Sequence, residues 1–126
     1  MIHLDTHVVV WLFTGELGRI HREALRRIEA GRLTISPMVE LELCYLHEIG
    51  RTDRPGRAVI ADLGARLGLT RSRATLADII DLAGSLTWTR DPFDRLIVAS
   101  AMVEACPLVT PDEHIRANFP GAVWDT

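Results

Sequence analysis

Lysine is missing altogether from this chain of 126 residues; its fourteen basic side chains are all arginine. That absence excludes chemistry built on a primary amine: a P-loop lysine, a Schiff base, or the lysine of phosphoryl-accepting receiver domains and haloacid-type phosphatases. Cysteine is scarce. Cys44 and Cys106 stand far apart, without the C-x-x-C spacing of a redox or metal pair, and read as two buried thiols in a reducing compartment. Long apolar runs are lacking too. The stretch 8–13 is far too short to cross a bilayer, and Asp5 and His7 stand where a secretory leader is basic and then apolar. Together these absences predict a cytoplasmic protein with no membrane contact. No excess of positive charge advertises a nucleic-acid binder either. With a formal net charge of −3, any grip on phosphates has to come from local arginine patches and bound cations.

What is present is ordinary in bulk. The length suits one domain over 1–126, and 48% apolar with 25% charged residues is typical of a globular protein. Short apolar segments at 2–4, 33–35, 69–72, 107–110 and 122–124 read as strands. Helical patterns are expected over 6–13, 20–30, 37–49, 57–67, 75–86, 91–105 and 112–118, with 51–56 as the clearest loop. Ser36-Pro37 and Asp91-Pro92 are helix starts, each a capping side chain followed by proline in the first turn. Short strands alternating with helices predict an α/β fold, a parallel sheet covered on both faces. In such sheets the ligand site lies beyond the carboxyl ends of the strands.

Seventeen acidic residues compete for roles, and helical phase sorts them. On a wheel of the helix from Pro37, the side chains Met38, Val39, Leu41, Leu43, Tyr45, Leu46 and Ile49 form one apolar arc. Glu42 falls in the middle of it, whereas Glu40 falls opposite with Cys44 and His47. A lone carboxylate among aliphatics costs several kcal/mol, roughly, unless it is neutralised, paired or metal-bound. Glu40 therefore reads as solvated, and Glu42 needs a cation or a raised pKa. Asp5 and Asp112 each follow a predicted strand by one or two residues. If those strands are parallel neighbours, both carboxylates emerge at one sheet edge; each can also cap the helix that follows. Asp91 is a good helix cap, and Asp94 stands where the acid of a capping box lies. Yet Asp94 shares a helix side with Ile97, Val98, Ala101 and Ala105, so it points inward. Asp78 and Asp81 share a polar face with Ser85 and read as surface.

Four inward carboxylates from four separated segments repel one another unless a cation joins them. An oxygen-only ligand set suits Mg²⁺ or Mn²⁺. An acidic site of this kind, with no cofactor motif, points to hydrolysis of a phosphodiester.

The same residues carry a family resemblance over essentially the whole chain. Ile2-His3-Leu4-Asp5-Thr6, the segment 35–43 with Glu42, Asp91-Pro92-Phe93-Asp94-Arg95 and Leu108-Val109-Thr110-Pro111-Asp112 resemble, in order and spacing, the four motifs of the PIN-domain family. Within that family the likeness is to the VapC-type toxins of bacterial toxin–antitoxin pairs. Thr89 departs from the pattern, standing where many relatives carry histidine. The resemblance implies a three-layer α/β/α domain around a mostly parallel sheet of four to five strands. It also implies a Mg²⁺- or Mn²⁺-dependent endoribonuclease that arrests translation, with Asp5, Glu42, Asp94 and Asp112 as metal-binding and catalytic acids. Asp91, Thr6, Ser36 and Thr110 are the candidate supporting residues around them. A homodimer and a cognate antitoxin that inserts a segment over the acids are further implications. Arg51, Arg54 and Arg57 in the loop, and Arg90 and Arg95 beside the third motif, are candidate contacts to RNA or antitoxin. Two other readings stay open: a PIN-like module that only binds RNA or protein, and a PIN nuclease of RNA processing outside any toxin system. His3 and His7 flank Asp5, and a strand histidine is more often structural than a zinc ligand.

Overall fold

The computed structural model describes residues 1–125. In chain order the elements are β1 (Ile2–Leu4), α1 (Thr6–Thr14), α2 (Arg22–Ala30), β2 (Leu33–Ile35), α3 (Pro37–Glu48), α4 (Gly56–Leu67), β3 (Thr70–Arg71), α5 (Leu76–Ala83), α6 (Pro92–Val103), β4 (Leu108–Val109), α7 (Glu113–Asn118) and β5 (Ala122–Val123). All four strand pairings are parallel, in the order β3-β2-β1-β4-β5. Every residue of β1, β2 and β4 is buried, as a central strand covered by helices on both faces requires. The core is aliphatic, led by Leu4, Ile35, Leu43, Leu63, Ile97, Leu108 and Ile115. Among the described residues no helix is long and apolar enough to cross a membrane.

The strand order has one reversal. The chain runs outward from β1 through β2 to β3, then returns to place β4 and β5 on the other flank of β1. A crevice opens at such a switch point beyond the carboxyl ends of the strands, and both Asp5 and Asp112 follow strands that meet there.

Four expectations need correction. The apolar arc of α3 is not buried as one face: only Val39 and Leu43 are fully buried, while Leu41, Tyr45 and Ile49 are about half exposed. Packing against the sheet and α4 covers a narrower stripe than the apolar residues span. The helix expected over 75–86 stops at Ala83, because Gly84 and Ser85 break it and the Ser85 N–H turns back to the Leu82 carbonyl at 3.0 Å. Cys44 and Cys106 are free thiols, as expected, but both are half-buried rather than buried. A 3-10 turn at Leu17–Arg19 also precedes α2, where a helix from residue 20 is expected; Gly15, at φ 80°, ends α1 in the left-handed region.

Candidate active site

The β1–β4 pairing aligns His3 with Leu108 and Leu4 with Val109. The ladder runs one step further, the Asp5 N–H donating to the Val109 carbonyl at 3.0 Å. This register sets Asp5 beside Thr110. The Thr110 hydroxyl donates to Asp5 Oδ2 at 2.6 Å and accepts the Asp112 N–H at 3.1 Å. One hydroxyl thereby ties together two acids that stand over a hundred positions apart. The other Asp5 oxygen accepts the Thr6 N–H at 2.8 Å, capping α1. Asp112 caps α7, its Oδ1 accepting the Ile115 N–H at 2.9 Å; capping and a place in the site coexist.

Glu42 arrives from α3, which starts directly after β2, the neighbour of β1. It is half-buried, and the Thr6 hydroxyl donates to its Oε1. Asp94 sits in the first turn of α6, which Asp91 caps by accepting the N–H groups of Phe93 and Asp94. The return bond of a capping box is absent: the Asp91 N–H donates to the Thr89 hydroxyl at 3.2 Å instead. Asp94 is thereby left without that structural duty.

Asp5, Glu42, Asp91, Asp94 and Asp112, with His7 and Pro111, line one cavity of about 260 Å³. Larger clefts lie elsewhere, such as the groove of about 460 Å³ over Leu12, Leu17, Leu25 and Leu67. The acidic cavity is distinguished by chemistry and by its place at the switch point, not by size. Its electrostatics are those of crowded carboxylates. Asp94 is pushed up to about 7, first by burial and then by Asp91, Asp5, Asp112 and Glu42. Burial also raises Asp5, which is only 8% exposed, against the opposing hydrogen bonds from Thr110 and Thr6. Glu42 is raised in the same way, with Thr6 opposing and Asp5 adding repulsion.

Among the described residues no three His, Cys, Asp or Glu side chains already meet as a closed metal cage. The donor set nevertheless fits a hard divalent cation: five carboxylates, no thiol and a single imidazole line the cavity. Acids that resist ionising together are relieved by a bound cation.

The other sequence candidates are placed as follows. Thr6 and Thr110 hold carboxylates, and Asp91 lies in the cavity wall. Ser36 does not line that cavity. It caps α3, meets the Ser100 hydroxyl at 3.0 Å and faces an apolar cleft. Arg51 and Arg54 line a separate cavity of about 270 Å³ with Glu16 and Asp53, and Arg57 is exposed on α4. Arg90 is exposed next to Asp91, while Arg95 donates to the Thr89 carbonyl at 2.9 Å and ties down the loop before α6. His3 is buried and hydrogen-bonds Glu104 at 2.7 Å, outside the cavity; its burial lowers its pKa. His7 is the wall residue that the motif reading does not single out. The one available signal is its position, two residues past Asp5 on the first turn of α1.

The model of the PIN domain matches residues 2–118, a span that holds all four motif acids. The chain belongs to the PIN-domain family. As a PIN domain it is 31% identical, over an alignment of 130 positions covering 96% of each chain, to Ribonuclease VapC22 of Mycobacterium tuberculosis (strain ATCC 25618 / H37Rv). Among solved structures it is similar to a toxin–antitoxin complex from Klebsiella pneumoniae, with a TM-score of 0.69 and 20% identity over the full length of both chains. It is also similar to the DNA-bound VapBC of Salmonella typhimurium, with a TM-score of 0.64 and 21% identity, covering 96% of this PIN domain and 93% of that chain.

Proposed function

We propose that the protein is a divalent-metal-dependent endoribonuclease and the toxin of a toxin–antitoxin pair. The observation that carries this reading is the convergence of acids from four separate segments, Asp5, Glu42, Asp91 with Asp94, and Asp112, in one cavity at the switch point. The 31% identity to Ribonuclease VapC22 supports ribonuclease action, and the likeness to toxin–antitoxin complexes supports an antitoxin as partner.

Asp5, Glu42, Asp94 and Asp112 are the residues that would hold Mg²⁺ or Mn²⁺. When bound, the ion supplies charge neutralisation on the scissile phosphate and a water acidic enough to attack near neutral pH. The chain's own residues do the rest. Thr110 fixes the rotamer of Asp5 and the backbone of Asp112, and Thr6 fixes Glu42, so the acids are oriented before substrate arrives. In the hydrolysis, a water oxygen bonds to phosphorus as the bond from phosphorus to the 3′ oxygen breaks. The departing oxygen takes up a proton, leaving a 3′-hydroxyl and a 5′-phosphate.

The protein further acts as a homodimer on this reading. Leu41, Tyr45 and Ile49 of α3 and Leu76 and Ile80 of α5 are about half exposed or more, beside an apolar cleft of about 300 Å³. A ridge of that kind calls for a covering surface. Translation arrest is tested by inducing wild type and Asp94→Asn in a bacterium and mapping new RNA 5′ ends. Wild type should stop growth and create discrete ends, and Asp94→Asn should lose cleavage by at least about a hundredfold while remaining folded. Retained metal-dependent cleavage by folded Asp94→Asn overturns the assignment of Asp94.

A further inference from the structure

Four aromatic rings from three parts of the chain form a continuous line that begins in the acidic cavity. His7 lines the cavity and is exposed. Its ring centroid lies 6.1 Å from that of Trp11, one turn further along α1. Trp11 lies 6.3 Å from Trp124, which follows β5, and Trp124 lies 6.5 Å from His21, the cap of α2. Because the sheet is wholly parallel, Trp124 emerges at the same edge as Asp5 and Asp112. Trp11 and Trp124 are half-buried with their inner parts on the core, and both ends of the line are exposed histidines. Core packing alone accounts for the two tryptophans but not for a line that closes on polar rings at each end.

We infer that this line is a stacking track for the bases of single-stranded RNA next to the scissile phosphate. The inference rests on the nuclease reading above and names the form in which its substrate approaches. Adjacent rings are tilted by 46–52°, so they do not stack on one another, and the solvent-exposed part of each ring is what a base would meet. Steps of a little over 6 Å match the separation of neighbouring bases in an extended strand. Stacking of this kind tolerates every base, since each has a π-face. At the far end the His21 Nδ1 accepts the Glu23 N–H at 3.1 Å, which places the ring proton on Nε2 as a donor for a phosphate. Asp125, near His21, is ion-paired with Arg116 at 2.8 Å, so its charge does not oppose the strand unbalanced.

The test is binding of fluorescent decauridylate, and of an abasic ribose-phosphate strand of the same length, to the full chain carrying Asp94→Asn to prevent cleavage. Decauridylate should bind at least about tenfold more tightly than the abasic strand. Adding Trp124→Leu should weaken decauridylate about tenfold and leave the abasic strand unchanged, whereas Trp124→Phe should keep most of the affinity. His21→Asn keeps a good helix cap but removes the ring, so it gives a second variant should Trp124→Leu not fold; it should weaken decauridylate alone by a few-fold. Equal losses on both strands, no loss on either, or no binding of decauridylate to the parent protein overturns the track and assigns the rings to packing or to a protein partner. Base-dependent binding without cleavage by wild type would keep the track and remove the nuclease reading. Cleavage with base-independent binding would do the reverse.

Discussion

Asp94 carries a heavy electrostatic burden, and that burden contributes to how metal-free protein responds to pH. Its carboxyl titrates at about 7 when folded and near 3.8 when unfolded. Between those values the folded chain holds a proton that the unfolded chain has released. The contribution of Asp94 is therefore fully favourable below about pH 4 and is lost as pH rises through 7. Asp5 and Glu42 are raised too and act in the same direction. Metal-free Asp94→Asn should melt several degrees above wild type at pH 8, with the gap closing toward pH 4; a gap independent of pH in thermal melts would contradict this. Thr110 acts through Asp5. Thr110→Val removes the hydroxyl that stabilises the Asp5 carboxylate and accepts the Asp112 N–H. Cleavage should fall about ten- to a hundredfold, and the rise of activity with pH should move to higher pH, because the Asp5 proton is then harder to displace. A rate profile that falls without moving would assign Thr110 a packing role only. At this scale much was legible. Asp5 and Asp112 announce themselves by following strands, and Glu42 by helical phase. The wheel gave the right direction for Glu42 through an incomplete reason, since half of its apolar arc faces solvent. His7 stood out only as a neighbour of Asp5, with no role assigned, because a histidine beside an acid has no periodic signal to set it apart.

Between elements, α3 and α4 approach closely at Gly56. A Cβ on Gly56 would lie 2.7 Å from the Glu40 carbonyl oxygen and 3.0 Å from the Cys44 sulfur. The carbonyl is helix backbone and cannot swing away, so Gly56→Ala should cost about 1–3 kcal/mol, read as a lower midpoint in urea. Because α3 carries Glu42, metal affinity should weaken with it. The sequence marks Gly56 only as the end of a loop, since a close approach between helices is a tertiary fact. Helix starts were more legible than helix ends. Ser36, Thr75, Asp91 and Asp112 all cap with their side chains, a local signal. The end of α5 depends instead on where Gly84 and Ser85 let the chain turn, and pattern alone carried it three residues too far.

Across the whole molecule, apolar surface is unevenly placed. Leu76 is 66% exposed and Leu41 55%, on helices that flank one cleft, and neither side chain lines the acidic cavity. Leu41→Glu with Leu76→Glu should convert the proposed dimer to monomer in sedimentation, with the acidic cavity unchanged; a dimer that survives both substitutions would place the interface elsewhere. The layer order and the parallel sheet were legible from alternating strands and helices. Strand order was not, because two- and three-residue strands hold too few side chains to specify their neighbours.

The position of β1 at the middle of the sheet has a consequence for synthesis. It leaves the ribosome ahead of both its neighbours, and β4 follows only after β2, β3 and the helices between them. The Thr110–Asp5 bond spans 105 positions, so no partial chain lacking the final motif can assemble the cavity, and every such chain leaves β1 open along one side. The acidic cavity is thus incomplete on the nascent chain until Asp112 has been added and β4 has paired with β1.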